Sequence, residues 1–228
     1  MRPPSPFLFD LDGTLADTLA DIAASANHVR AVHGLPELPA ARVQTFVGDG
    51  ARVLLQKVLD GALPEAGDRR ELALDGAFAT FVAHHALQCT REVCLFPDVR
   101  EHLAVLRGRG HALAVVTNKP ERFARAIVQH LELQALLPVV VGGDTLPQKK
   151  PDPAPLRHAL RLLGCEYDEG TMVGDGVQDL RAGKALGLGT VACLFGFGDP
   201  VQLRAEGADS YWRSFGVPSE PDEFTGTV

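Results

Sequence analysis

Phe7-Leu8-Phe9-Asp10-Leu11-Asp12-Gly13-Thr14 decides the fold. Three apolar residues break off into carboxylates, a glycine and a hydroxyl, which predicts a short buried strand delivering polar groups at its carboxyl end. The pattern recurs. Ala112–Thr117 runs into Asn118-Lys119, Val139–Gly142 into Gly143-Asp144, and Met172-Val173 into Gly174-Asp175, each with a helix-like stretch behind it. A fifth apolar run spans Thr190–Leu194. Strands alternating with helices predict an α/β protein, a Rossmann-like parallel sheet with helices on both faces.

Prolines and glycines punctuate the helices. Pro97, Pro120, Pro153 and Pro200 suit first helical positions, Asp152 and Asp199 suit caps, and Gly164, Gly187 and Gly207 suit helix ends. Leu156, Leu160 and Leu163 supply a core stripe. Between the first strand and Cys94 the period changes: Leu15, Leu19, Ile22, Ala26 and Val29 step by four and three, as do Leu74, Phe78 and Phe81. A crossover between parallel strands needs only about a dozen residues, so this long stretch predicts an inserted helical cap domain. The expected division is a catalytic core of residues 1–16 and 95–216, a cap of 17–94, and a frayed polar tail of 217–228.

Composition narrows the function. At 228 residues and 46% hydrophobic content, the chain can bury one substantial core with a smaller insertion. A formal charge of −7 and no Lys/Arg cluster longer than a pair argue against nucleic acid as a partner. The four cysteines show neither C-x-x-C nor zinc spacing, which suits reduced, mostly packed thiols and a cytoplasmic location. No signal-peptide apolar region opens the chain, and no run approaches the roughly 18 apolar residues of a membrane span. His84 and His85 are adjacent on a predicted helix, so their side chains are expected to point apart and not to share a metal.

Asp10 and Asp12, two apart on an extended segment, project from one face at the carboxyl edge of the sheet, where α/β proteins bind ligands. Carboxylates this close repel unless a cation sits between them or one stays protonated. Mg²⁺ suits such oxygen ligands; alone, either aspartate could equally cap the turn at Gly13. Thr117 and Asn118 offer a hydroxyl and an amide beside a helix start whose N–H groups can receive a phosphate oxygen, and both could also serve as a cap. Lys150, just before Pro151, can present a point charge to phosphate, whereas Lys149 is expected to be the more solvated of the two. Asp175 and Asp179 add two carboxylates at a further strand end; with Asp10 they form a candidate metal site.

In this order the four runs resemble the haloacid dehalogenase-like superfamily over nearly the whole chain. The resemblance implies Asp10 as a nucleophile forming an aspartyl-phosphate, and Asp12 as the acid for the leaving alcohol and then the base for water. It also implies Thr117, Asn118 and Lys150 as phosphate ligands, with Mg²⁺ held by Asp10, the backbone carbonyl of Asp12 and Asp175. Asp179 is then a ligand or its support. An acid at Asp12 speaks for an ester and against a halide, which leaves unprotonated.

Phe46-Val47-Gly48-Asp49-Gly50-Ala51, Leu95-Phe96-Pro97, Val116-Thr117-Asn118-Lys119-Pro120 and the run from Gly142 to Pro153 are similar to bacterial phosphoglycolate phosphatases. That similarity implies a small phosphorylated metabolite, 2-phosphoglycolate, as substrate. Two positions depart from the pattern: Gly176 replaces a common serine, and Asp49 replaces a more frequent asparagine. Gly48-Asp49-Gly50 is expected to close over the substrate, where Asp49 would oppose a carboxylate unless Arg52 or Mg²⁺ offsets it. Alternatively, Gly48 and Gly50 only shape a helix–helix turn and Arg52 is a surface residue. Other readings are a phosphatase of another small metabolite, a sugar phosphomutase, or a non-catalytic domain binding a phosphorylated ligand. Monomer and homodimer are both compatible with the sequence.

Overall fold

Along the chain, β1 (Phe7–Phe9) leads through β2 (Ala16–Asp17) into four helices: α1 (Leu19–Val32), α2 (Ala40–Gln44), α3 (Ala51–Val58) and α4 (Asp68–Gln88). The return runs through β3 (Cys94–Leu95), α5 (Val99–Gly108), β4 (Leu113–Val116), α6 (Glu121–His130) and β5 (Val139–Val141). Then come α7 (Ala154–Leu162), β6 (Thr171–Gly174), α8 (Val177–Ala185), β7 (Gly189–Cys193), α9 (Pro200–Glu206) and β8 (Ser210–Trp212). This computed structural model describes residues 4–165 and 169–216, so the expectation of a frayed 217–228 lies outside the described residues.

Six strands form one sheet in the order β5-β4-β1-β6-β7-β8, with every pair parallel. Side chains alternate across it, as a period of two requires. Phe7, Phe9, Leu113 and Val115 pack on one face with Leu103, Leu106, Phe123 and Ile127 of α5 and α6. Leu8, Ala114, Val116 and Met172 pack on the other with Leu156, Leu160 and Ala182 of α7 and α8. Burial on both faces is why these strands read as unbroken apolar runs. Each fully buried Leu or Phe contributes about 1.5–3 kcal/mol.

The strand order also locates the site. From β1 the chain moves outward to β4 and β5, then crosses back to β6 on the other side of β1. Connections leaving in opposite directions open a crevice at the carboxyl end of β1.

The helices α1–α4 have a hydrophobic cluster of their own, with Ile22, Ala26, Val29, Leu54, Leu55, Leu74 and Phe81 at its centre. These are largely the residues of the helical stripes. Where the chain leaves the core and returns, β2 and β3 pair antiparallel, Ala16 opposite Leu95 and Asp17 opposite Cys94. Buried Asp21 of α1 reinforces the junction by accepting from Gln88 Nε2 at 2.8 Å and from the Glu92 N–H at 3.2 Å. The sequence reading omits β2, β3 and β8, because two-residue strands carry no period and β8 is a partly exposed edge. Among the described residues, no helix is long and apolar enough to cross a membrane.

Candidate active site

The ends of three neighbouring strands, β1, β4 and β6, bring the site together. β1 stops at Phe9, and the chain then turns, with the Leu11 carbonyl accepting from the N–H groups of Leu15 and Ala16 at 3.0 Å each. Asp10 still follows the sheet, its N–H donating to the Val173 carbonyl of β6 at 2.9 Å, and Asp12 forms an isolated bridge with Ala16 as the chain turns. Both still line one pocket, together with Thr117 and Asn118 beyond β4. Gly13 makes the turn possible: its φ is +81°, and a Cβ there would lie 2.3 Å from Asp175 Oδ2.

Asp10 Oδ1 accepts from the Leu11 N–H at 2.7 Å and lies 3.1 Å from Lys150 Nζ. Lys150 is fully buried, also meeting Asp179 Oδ1 at 2.6 Å and donating to the Val116 carbonyl at 2.5 Å. Burial by itself would pull the ammonium pKa down, but the charges of Asp10 and Asp179 reverse this and hold it above the ordinary lysine value. The cation is thereby fixed beside Asp10.

Across the turn, Asp175 Oδ1 accepts from Thr14 Oγ1 at 2.7 Å, and Oδ2 accepts from the N–H groups of Phe197 at 2.8 Å and Gly198 at 3.2 Å. Asp179 Oδ2 accepts from the Gly176 N–H at 2.9 Å. Carboxylate oxygens of Asp10, Asp175 and Asp179 all lie within 4.8 Å of one another. Burial, then the charges of Asp10 and Asp179, push Asp175 up to about 8. Burial pushes Asp179 up to about 6, with Lys150 opposing and Asp10 adding. Three buried carboxylates against one lysine leave surplus negative charge, and hard oxygen donors in that arrangement fit a divalent cation.

Thr117 Oγ1 accepts from the Lys119 N–H at 3.2 Å. Asn118 Nδ2 donates to the carbonyls of Gly48 at 3.0 Å and Lys150 at 2.9 Å, so its side chain clasps the cap to the core. Gly48 and Gly50 line the pocket, whereas Arg52 pairs with Glu71 at 2.8 Å and Asp75 at 2.5 Å on an exposed cap face. The Asp49 carboxylate meets Lys57 at 3.1 Å, so Lys57 takes the offsetting role that the sequence suggests for Arg52. Lys149 is the more exposed of the two lysines, and its Nζ also donates to the Asp49 carbonyl at 2.5 Å, a second tie between core and cap.

The family model described as haloacid dehalogenase-like hydrolase matches residues 7–193. The chain belongs to this family. It is 40% identical over 208 residues to a plasmid phosphoglycolate phosphatase of Cupriavidus necator, covering 91% of this chain and 88% of that one. It is 36% identical over 203 residues to a phosphoglycolate phosphatase of Chromobacterium violaceum, covering 87% and 88%. The crystal structure of "a predicted phosphoglycolate phosphatase" from Haemophilus somnus superposes with a TM-score of 0.84 at 29% identity, covering 94% of this chain and 96% of that one.

In this haloacid dehalogenase-like hydrolase the site has two lobes that share Asp10, Asp12, Val47 and Gly48. The inner cavity, of about 40 Å³, has Ile22, Leu54 and Phe81 of the cap as apolar walls. An outer crevice of about 650 Å³ passes Asp175, Asp49, Lys57 and Gln178. Sequence reasoning gives no role to three residues here. Lys119 Nζ lies 3.0 and 3.2 Å from the two carboxylate oxygens of Asp12, and Thr18 Oγ1 donates to Asp12 Oδ1 at 2.7 Å. His85 lines the inner cavity, stacked on Phe81 and edge-on to Phe123, and burial drives its pKa down to about 2, leaving it neutral. The expectation that His84 and His85 diverge fails, because both Nδ1 atoms reach Ser25 Oγ, at 3.1 and 2.9 Å.

Proposed function

We propose that this hydrolase is a Mg²⁺-dependent phosphatase of small phosphate monoesters, with 2-phosphoglycolate as its substrate and Asp10 as its nucleophile. The observation that carries the reading is the buried Lys150 clamped 3.1 Å from Asp10 Oδ1, beside a hydroxyl at Thr117 and three clustered carboxylates. Both contacts of Asp10 fall on Oδ1, which supports Oδ2 as the attacking oxygen. Oδ2 forms a bond to phosphorus while the ester P–O bond breaks, and the electron pair passes to the leaving oxygen, which takes a proton from Asp12. Water then attacks phosphorus, giving a proton to Asp12 and restoring the Asp10 carboxylate as phosphate departs. Lys150 offsets the repulsion between an anionic attacker and an anionic ester. Asp10, the backbone carbonyl of Asp12 and Asp175 would hold Mg²⁺, with Asp179 behind them, and the metal would supply further positive charge to the phosphoryl oxygens.

The small inner cavity, the uncapped start of α3 at Gly50-Ala51 and the similarity to phosphoglycolate phosphatases support a two-carbon acid as the leaving group. One observation favours a second reading, a larger phosphorylated metabolite: the polar outer crevice has room for a sugar. Catalytic efficiencies across a panel of phosphate esters, with phosphate release as the readout, separate the two. The expected result is the highest kcat/KM for 2-phosphoglycolate. A sugar phosphate ranked first would overturn the substrate, and isomerised sugar without net phosphate release would replace phosphatase by mutase. The substrate chemistry and four free thiols, with Cys89 and Cys193 buried and Cys94 exposed, support a cytoplasmic setting.

The metal reading has its own signature in stability. Asp175 and Asp179 have folded-state pKa values raised from 3.8 to about 8 and about 6. Between pH 4 and 8 the metal-free native state holds protons that the unfolded chain has lost, so stability falls as pH rises through that window. Mg²⁺ is expected to raise the unfolding midpoint more at pH 8 than at pH 5, since it competes with fewer protons. Thermal melts with chelator and with Mg²⁺ at both pH values check this; an equal or smaller shift at pH 8 would contradict it.

A further inference from the structure

Phosphoryl transfer through Asp10 leaves one charged side chain of the inner cavity without a task. Lys119 is buried, and its ammonium faces both carboxylate oxygens of Asp12, at 3.0 and 3.2 Å. Thr18 Oγ1 adds a third contact to Asp12 at 2.7 Å. Held in this way, both carboxylate oxygens of Asp12 are committed to Lys119 and Thr18. Turning it requires Lys119 to accept another anion, because an unpaired buried ammonium is costly.

The surroundings say what that anion is. Among the described residues lining the cavity, Lys119 is the sole charged cation, since His85 is neutral there. The cap walls beside it are apolar, and the nearby start of α3 has no side-chain cap, leaving backbone N–H groups directed at the end of the helix. A compact carboxylate fits between an ammonium and such amides. We infer that Lys119 is a specificity-determining and positioning residue: it exchanges Asp12 for the carboxylate of a phosphorylated hydroxy acid, so that acid-bearing esters release the proton donor and neutral esters leave it clamped. The exchange conserves charge, one ammonium facing one carboxylate before and after. It rests on the reading of Asp12 as the acid of a phosphatase.

The test compares 2-phosphoglycolate with 2-hydroxyethyl phosphate, similar in size but without the carboxylate, in the full-length enzyme and its Lys119→Gln and Lys119→Arg variants. Wild type should prefer the acid in kcat/KM by roughly 10- to 100-fold, the worth of one charge-assisted hydrogen bond. In Lys119→Gln, KM for the acid should rise while kcat for the neutral ester increases, so the preference collapses; Lys119→Arg should restore it. Calorimetry in an Asp10→Asn background reads binding without turnover, and there Lys119→Gln should erase the difference in affinity between the two esters. A parallel fall for both esters, or a preference that survives Lys119→Gln, would overturn the assignment. So would a wild type indifferent to the carboxylate, a result that needs no variant to fold. Failure of the phosphatase reading looks different: no ester of the panel is turned over in an Asp10-dependent way.

Discussion

Asp10→Asn is expected to lower kcat by about 10⁴-fold or more, the scale on which loss of a nucleophile acts. Asparagine keeps the shape, and its carbonyl oxygen can still accept from the Leu11 N–H that Asp10 Oδ1 now engages at 2.7 Å. What it lacks is the charged oxygen proposed to attack phosphorus. The same substitution removes a charge that raises the pKa of both Asp175 and Asp179. The metal-free variant should therefore be at least as stable as wild type while gaining less from Mg²⁺. Phosphate-release kinetics paired with melts in chelator and in Mg²⁺ check both halves. An active Asp10→Asn enzyme would remove the nucleophile from the mechanism, and an unfolded one would show that Asp10 serves structure first.

Lys150→Met is expected to cost both stability and catalysis. The ammonium is buried between Asp10 at 3.1 Å and Asp179 at 2.6 Å, with Asp175 close to both. Methionine fills much of the same volume but leaves the carboxylates without their cation. Breaking a buried ion pair from one side costs about 3–5 kcal/mol. Denaturant unfolding should show that loss, with added Mg²⁺ recovering part of it. In turnover, losing a charge directed at the transferring phosphoryl group should reduce kcat by roughly 10²- to 10³-fold. Unchanged stability would mean that the three acids are neutralised in another way, and unchanged kcat would place the phosphate elsewhere.

The parallel core is legible because its strands are buried on both faces. Leu113–Val116 and Val139–Val141 have no polar position to obscure them, and their abrupt polar ends mark the catalytic edge. Asp10, Thr117 and Asp175 are readable for the same reason, since each closes an apolar run, whereas Lys150 is marked by the Pro151 that follows it. Partnerships made across the fold are less accessible. Lys119 meets Asp12 only because β4 lies beside β1, a pairing set by strand order and register. Arg52 is captured by Glu71 and Asp75 of the next cap helix, and Lys149 by a cap carbonyl, through helix-packing geometry that no local spacing encodes. His84 and His85 diverge on an ideal helix, yet the packing of His85 between Phe81 and Phe123, with His84 stacked on His28, brings both to Ser25. The segment after β1 is the accessible case: Asp10 keeps its bond to β6, Asp12 bridges to Ala16, and both aspartates line one pocket, as their spacing suggests.

The most direct test of Asp10 as a covalent nucleophile is to stop turnover with acid and weigh the peptide that carries it. With Mg²⁺ and a readily hydrolysed phosphate ester, covalent catalysis predicts one phosphoryl group on the Asp10 peptide, absent from Asp10→Asn and lost again at neutral pH. Steady phosphate release from an Asp10 peptide that never gains mass, or a phosphoryl group found on another residue, would contradict it.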